Sequence, residues 1–267
     1  MNEAELLFTQ ILGCDRLSLY LNQDTPLGKD KISLISSVLK RRISGEPLQY
    51  ILGKAEFMGL EFKVNKEVFI PRPETEILVE TAIEIARRLS VMDDRLKILD
   101  IGTGSGCIAV SLAKFMRGVE VIATDISDKA LEIAKQNARL NNVEVNFLQS
   151  DLFSAFSFQL SAFSLIISNL PYIPIAKIDS LQPELSYEPR IALDGGKDGL
   201  DFYRRIIRQA PAYLKEGGLL ILEMGFGQRG LIEGILKNSK NFQIIEIVKD
   251  YNQIDRIIIA KKEEKNG

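Results

Sequence analysis

Histidine is absent from all 267 residues. Histidine general bases, Ser–His triads and His-ligated metals are therefore excluded together, and any chemistry must run without them. Cysteine is nearly absent: Cys14 and Cys107 are too few for a disulfide framework and have no zinc spacing. No apolar run approaches the roughly 20 residues of a membrane span. The opening MNEAELLFTQ is acidic and lacks the apolar core of a signal peptide. These absences predict a soluble, cytoplasmic chain with no membrane contact. Charge excess is missing too, since 34 Lys and Arg stand against 36 Asp and Glu. No strong pull toward nucleic acid follows, and direct nucleic-acid binding is not expected. What the chain does have is apolar residues, 46% of the total, enough for one large domain or two unequal ones.

Three regions are expected. Residues 1–53 read as a small helical domain, with apolar spacings of three and four in AELLFTQILG and KISLISSVLKRRISG and with Gly13 and Gly45 as stops. The KRR at 40–42 reads as a solvated helix face. Residues 54–70 alternate around Gly59 and suggest a hairpin or extended linker, packed by Phe57, Met58 and Phe62. From 71 to 267, strand and helix patterns alternate. The strands are expected at 96–102, 119–125, 143–151, 163–169, 217–224, 241–248 and 255–262, and ISDKALEIAKQNARLN is the clearest helix. The fold class is α/β: a mainly parallel sheet covered on both faces, with its last two strands as an antiparallel edge pair. The charged end KKEEKNG reads as solvated.

In such sheets, ligands bind beyond the carboxyl ends of the strands, where strand order reverses. LDIGTGSGCIA follows the first strand and opens a helix. Its Gly102, Thr103, Gly104, Ser105 and Gly106 form either a small-molecule loop or a tight structural turn. The dinucleotide fingerprint fails, because its third glycine position holds Cys107, read here as a small buried residue at the helix start. With Asp100 in front, G-x-G-x-G resembles the S-adenosylmethionine loop of Rossmann-like methyltransferases. Asp125 ends the second strand. Its carboxylate can accept both ribose hydroxyls of an adenosine, or can cap the helix beginning near Ser127 beside Asp128. Asp151 and Leu152 close the next strand, where they can edge and cover an adenine ring or simply make a turn.

The stretch SNLPYIP is more unusual. Asn169 ends a strand expected beside the first one, and so beside the glycine loop. An amino group on an sp² carbon, in an amide or in adenine, is a poor nucleophile and must be aimed. Asn169 can accept one of its hydrogens and the Leu170 carbonyl the other, while Pro171 fixes that carbonyl and Tyr172 offers a flat wall. PRPETE, at 71–76, reads as an extended segment capping a helix from Thr75 with Glu76 in its first turn.

NLPY is similar to the Asn-Pro-Pro-Tyr signature of amino-group methyltransferases and, in its Leu form, to the rRNA adenine dimethyltransferases. RRISGEPLQYILG, FKVNKEVFIPRPETE, LDIGTGSGCIA, ATDIS, EPRIALDGGKDGLDFYRRI and DRIIIA, in this order, resemble the peptide-chain release factor glutamine methyltransferase family over nearly the whole chain. The resemblance implies methylation of the side-chain amide of the Gln in the Gly-Gly-Gln motif of class 1 release factors. It implies S-adenosyl-L-methionine as donor and S-adenosyl-L-homocysteine as product. A helical N-terminal domain that helps grip the release factor, and Arg72 and Glu74 as part of the floor or lid of the site, are further implications. It places the donor on Gly102–Gly106, Asp125 and Leu152 and the glutamine on Asn169, Leu170, Pro171 and Tyr172; the position of Asn169 at the switch point would make it face the donor methyl. Two departures stand out: Leu170 where the family usually has Pro, and Leu152 where an aromatic is common. The competing readings are an RNA adenine amino-group methyltransferase, a nicotinamide oxidoreductase and a non-catalytic binding module.

Overall fold

Asn2 starts the first helix by a reciprocal cap, accepting from Glu5 N at 2.8 Å while the Glu5 carboxylate accepts from Asn2 N at 3.0 Å. The structure, a computed structural model, describes residues 2–22, 24–89, 96–156 and 163–263. Helix α1 (Glu3–Leu12) ends at Gly13 in the left-handed conformation, and α2 (Arg16–Leu21), α3 (Lys29–Ile43) and α4 (Leu48–Leu52) follow. Leu7 of α1, Val38 of α3 and Leu48 of α4 make a small common core to which α2 adds no buried residue. Helices α2 and α4 were not expected from periodicity; at six and five residues they are too short to show it.

Strands β1 (Lys54–Phe57) and β2 (Leu60–Lys63) form the hairpin, turned by Met58 and Gly59, both at positive φ. Phe57 and Phe62 pack edge to face with ring centroids 6.0 Å apart. Helix α5 (Pro73–Leu89) begins two residues before the expected Thr75, since proline suits the first helical position.

The main sheet contains β3 (Lys97–Ile101), β4 (Glu120–Asp125), β5 (Asn146–Gln149), β6 (Phe163–Ser168), β7 (Leu214–Glu223), β8 (Phe242–Lys249) and β9 (Asp255–Lys262). Between them lie α6 (Cys107–Phe115), α7 (Asp128–Leu140), α8 (Ile175–Ile178), α9 (Asp201–Tyr213) and α10 (Arg229–Ser239). Strand order is β5-β4-β3-β6-β7-β9-β8, parallel except for β9, which runs against both β7 and β8. The expected antiparallel pair is there, with β8 as the edge and β9 inside it. Both faces are covered, so successive strand residues enter opposite cores: Ile98 joins the α5 and α6 side, Leu99 and Ile101 the α9 and α10 side. Strand β5, the opposite edge, is shorter than expected, with four residues, mostly exposed.

Two surface readings change. Arg42 is not merely solvated: it pairs with Glu3 of α1 and with Glu184, tying α3 to the segment after α8. In KKEEKNG, Lys261 and Lys262 belong to β9, and Lys262 is buried with Nζ donating to Leu214 O at 3.0 Å; residues 264–267 lie outside the described residues. Among the described residues, no helix is long and apolar enough to cross a membrane.

Candidate active site

Strand order reverses between β3 and β6, so the loops leaving these two strands diverge and a crevice opens beyond their carboxyl ends. A cavity of about 480 Å³ occupies it, lined by residues from both loops, from the start of α5 and from the segment 185–193. Gly102 N and Thr103 N donate to Thr124 O at 2.8 and 2.9 Å, which anchors the glycine loop to β4. Thr103 Oγ1 donates to Asp100 Oδ2 at 2.6 Å. Asp100 is wholly buried, and burial raises its carboxyl to about 7 against that hydrogen bond. Gly104 sits at φ +55 with open space where a Cβ would stand, so the backbone offers a bare surface to the cavity. Gly106 has a different reason. Its Cβ would meet Ala134 Cβ of α7 at 3.0 Å, and it does not line the cavity, so helix packing rather than ligand approach requires it.

Asp125 touches both the cavity and the loop. Oδ2 accepts from Gly104 N and Oδ1 from Ser127 N, each at 2.9 Å. The helix cap itself is Ser127, whose side chain accepts from Ala130 N, so Asp125 is spared the full capping role. Burial raises its carboxyl above the usual range, partly offset by hydrogen bonds from the Ser127, Gly104 and Ile126 amides. Leu152, at positive φ and 4% exposed, contributes aliphatic surface to the same cavity. Asp151 also lines it but is paired with Arg205 at 2.7 Å. Cys107 is buried at the head of α6, and burial raises its thiol to about 12, as suits an inert packing residue.

Asn169, Leu170, Pro171 and Tyr172 all line the cavity from the β6 side. The turn is gripped from outside: Ile173 N donates to Leu193 O at 3.0 Å, and Gly195 N donates to Ile173 O at 2.9 Å. Gln228 Nε2 donates to Tyr172 O at 3.0 Å. The Leu170 side chain is 4% exposed and would lie 3.5 Å from a Cβ at Gly102, so it also backs the glycine loop. Tyr172 is held neutral, its hydroxyl raised to about 12 by burial and by the Glu223 charge. Asn169 Nδ2 donates to Thr75 Oγ1 at 3.0 Å, and Thr75 Oγ1 donates to Glu223 Oε2 at 2.8 Å. With Nδ2 committed, Oδ1 is the end of Asn169 left to accept from a ligand.

A family model described as the PrmC N-terminal domain matches residues 1–53, and one described as a methyltransferase domain matches residues 92–264. A release factor glutamine methyltransferase from Geobacter sulfurreducens is 44% identical over 257 residues, 96% of this chain and 87% of the relative. One from Thermodesulfovibrio yellowstonii is 41% identical over 264 residues, 98% of this chain and 92% of the relative. The chain belongs to the release factor glutamine methyltransferase family. Among solved structures, a methyltransferase from Pyrococcus furiosus shares the fold, with a TM-score of 0.53 and 17% identity over 89% of this chain and all of that one.

Several residues of this family member's cavity were not singled out in the sequence. In the sequence, Thr75 marks only a helix start and Glu223 only part of a strand. Glu223 carried a signal nonetheless: it follows directly on the apolar run 219–222 of β7, one residue past the Leu222 that pairs with Ser168, and so beside Asn169. Arg72 and Glu74 do line the cavity; Arg72 stacks over Phe69 at 4.7 Å and pairs with buried Glu188. Glu188 also accepts from Ile70 N at 3.1 Å, fastening the segment before α5 to the 185–193 wall. Asn137 is a further missed tie, donating to Ser105 O at 2.8 Å and to Lys63 O at 3.0 Å, which joins the glycine loop to the hairpin.

Proposed function

We infer that this chain transfers a methyl group from S-adenosylmethionine to the side-chain amide nitrogen of the glutamine in the Gly-Gly-Gln motif of class 1 release factors. The observation that carries this reading is Asn169: a fixed amide whose accepting end is free, set at the switch point in one cavity with an open glycine loop. S-adenosylmethionine, when bound, supplies a methyl group on a positively charged sulfur. The residues present suit it. Gly104 leaves room for close approach, Asp125 has lone pairs left for ribose hydroxyls, and Leu152 gives apolar cover for a base.

The remaining roles belong to the chain. An amide nitrogen delocalises its lone pair into the carbonyl, so it reacts only when held in the right place. Asn169 Oδ1 accepts one N–H and the Leu170 carbonyl the other, while the Tyr172 ring confines the planar amide. Orientation of this kind can supply about 7 kcal/mol or more of barrier lowering. The newly methylated nitrogen is strongly acidic, so its extra proton leaves without a dedicated base, in keeping with a chain that has no histidine.

Asp125→Ala should weaken S-adenosylhomocysteine binding by about 1 to 3 kcal/mol, the scale of a lost charged hydrogen bond. Calorimetry on the folded variant checks this, and unchanged affinity would reject the ribose role. The substrate is tested with tritiated methyl donor. Label should enter a class 1 release factor, vanish when its Gly-Gly-Gln glutamine is replaced by Ala, and leave ribosomal RNA untouched. Label on RNA adenine with none on the release factor would reverse the assignment.

A further inference from the structure

An asparagine amide has two ends of nearly the same shape, one that donates and one that accepts. Only the accepting end can hold a substrate N–H, so the protein must decide which way Asn169 faces. Thr75 alone cannot decide, because a hydroxyl both donates and accepts. A carboxylate only accepts, and Glu223 Oε2 takes the Thr75 hydroxyl hydrogen at 2.8 Å. We propose that Thr75 and Glu223 are positioning residues for methyl transfer. Glu223 consumes the single hydroxyl hydrogen of Thr75, Thr75 Oγ1 is thereby left to accept from Asn169 Nδ2, and Asn169 Oδ1 is turned toward the substrate nitrogen. The inference rests on the reading of this cavity as a glutamine methylation site.

Burial makes the arrangement more than incidental. Thr75 and Glu223 are each 3% exposed, and both line the cavity. Leaving a carboxylate there is costly unless it is used, and an apolar residue would otherwise suit the end of β7. The chain of contacts joins α5, the loop after β6 and β7, three elements that meet only at the switch point. Tyr203 of α9 donates its hydroxyl to the Glu223 backbone carbonyl at 2.7 Å, which fixes where the side chain leaves the strand.

The same arrangement has a dependence on pH. Burial raises the Glu223 carboxyl to about 7; the Thr75 hydrogen bond, the Arg256 charge on β9 and the Asn169 amide act against this, and Glu74 of α5 acts with it. Tyr172, Tyr203 and Cys107 also face it, all three kept protonated by burial. Arg256 is itself engaged by Asp250 at 2.8 Å. Because the folded value is raised, the acceptor-only form is present above about 7 and is lost as pH falls below it. A protonated Glu223 can donate to Thr75, and the sense of the relay is no longer fixed.

The test uses the full chain with tritiated methyl donor and a class 1 release factor, measured on both sides of neutrality. Thr75→Val should lower kcat by about 10- to 100-fold, since a misplacement near 1 Å at a reacting centre can cost about 10²-fold. Its S-adenosylhomocysteine affinity should stay at the wild-type value, and Thr75→Ser should restore most of the turnover. Wild-type kcat should fall on the acid side of neutrality, and Glu223→Gln should lose that fall while turning over more slowly. Wild-type kcat and pH profile in Thr75→Val would overturn the relay. If Thr75→Val does not fold, Glu223→Gln decides, and retention of the acid limb overturns it. A wild-type enzyme that leaves the release factor unlabelled fails at the earlier step, rejecting the substrate reading and the relay with it.

Discussion

Asn169→Ala is expected to lower methyl transfer by about 10²-fold or more, the scale of losing one preorganised polar group from a reacting centre. Donor affinity should hardly move. Asn169 lies on the β6 side of the cavity, whereas the glycine loop, Asp125 and Leu152 are held by the ends of β3, β4 and β5 and by their own hydrogen bonds. The side chain is partly exposed and its removal opens little core, so folding should survive. Single-turnover rates on a class 1 release factor, paired with S-adenosylhomocysteine calorimetry, separate the two effects. Full turnover in a folded Asn169→Ala protein would remove the mechanism; equal loss of donor binding would mean that Asn169 belongs to the donor site instead. Asn169→Asp is a sharper companion, because it keeps an acceptor but cannot donate to Thr75.

The sheet was legible because its central strands are buried on both faces and read as apolar runs, FSLIIS being the clearest. That pattern placed Asn169 beside the glycine loop, and the β3–β6 pairing puts it there. Short elements gave no such signal, which is why α2 and α4 were missed. Contacts made across long stretches of chain were equally hidden. The Asn169–Thr75 hydrogen bond spans 94 residues and the Thr75–Glu223 bond 148. No local pattern can specify either, since each joins two elements far apart in the chain that meet at the switch point. Arg42 shows the same limit: a basic triplet on a helix looks solvated until the fold brings Glu184 to it. Gly106 is the converse case, a glycine in a ligand-loop pattern whose space is taken by Ala134 of a neighbouring helix.

Gly199→Ala is expected to damage both stability and turnover, because DGGKDG is the outer clamp of the turn that holds Asn169. Gly199 has φ +79, and a Cβ there would stand 2.3 Å from Tyr172 O and 3.0 Å from Gln228 Nε2. Neither neighbour can yield cheaply. Tyr172 O accepts from Gln228 Nε2 at 3.0 Å, and Gln228 Oε1 in turn accepts from Gly225 N at 3.0 Å. The left-handed backbone and the forced contact together should cost about 2 to 5 kcal/mol. Relief of the clash would push Tyr172 and the preceding residues into the cavity, and a displacement near 1 Å at a reacting centre can cost about 10²-fold in rate. Gly234→Ala is the control: it lies inside α10 with nothing within 4 Å of its Cβ, so it should be neutral or slightly stabilising. Denaturant midpoints and turnover for the two variants distinguish a clamp from a tolerant loop. Wild-type stability and rate in Gly199→Ala would show that the loop can retreat without moving the turn, and the clamp would then have no part in placing Asn169.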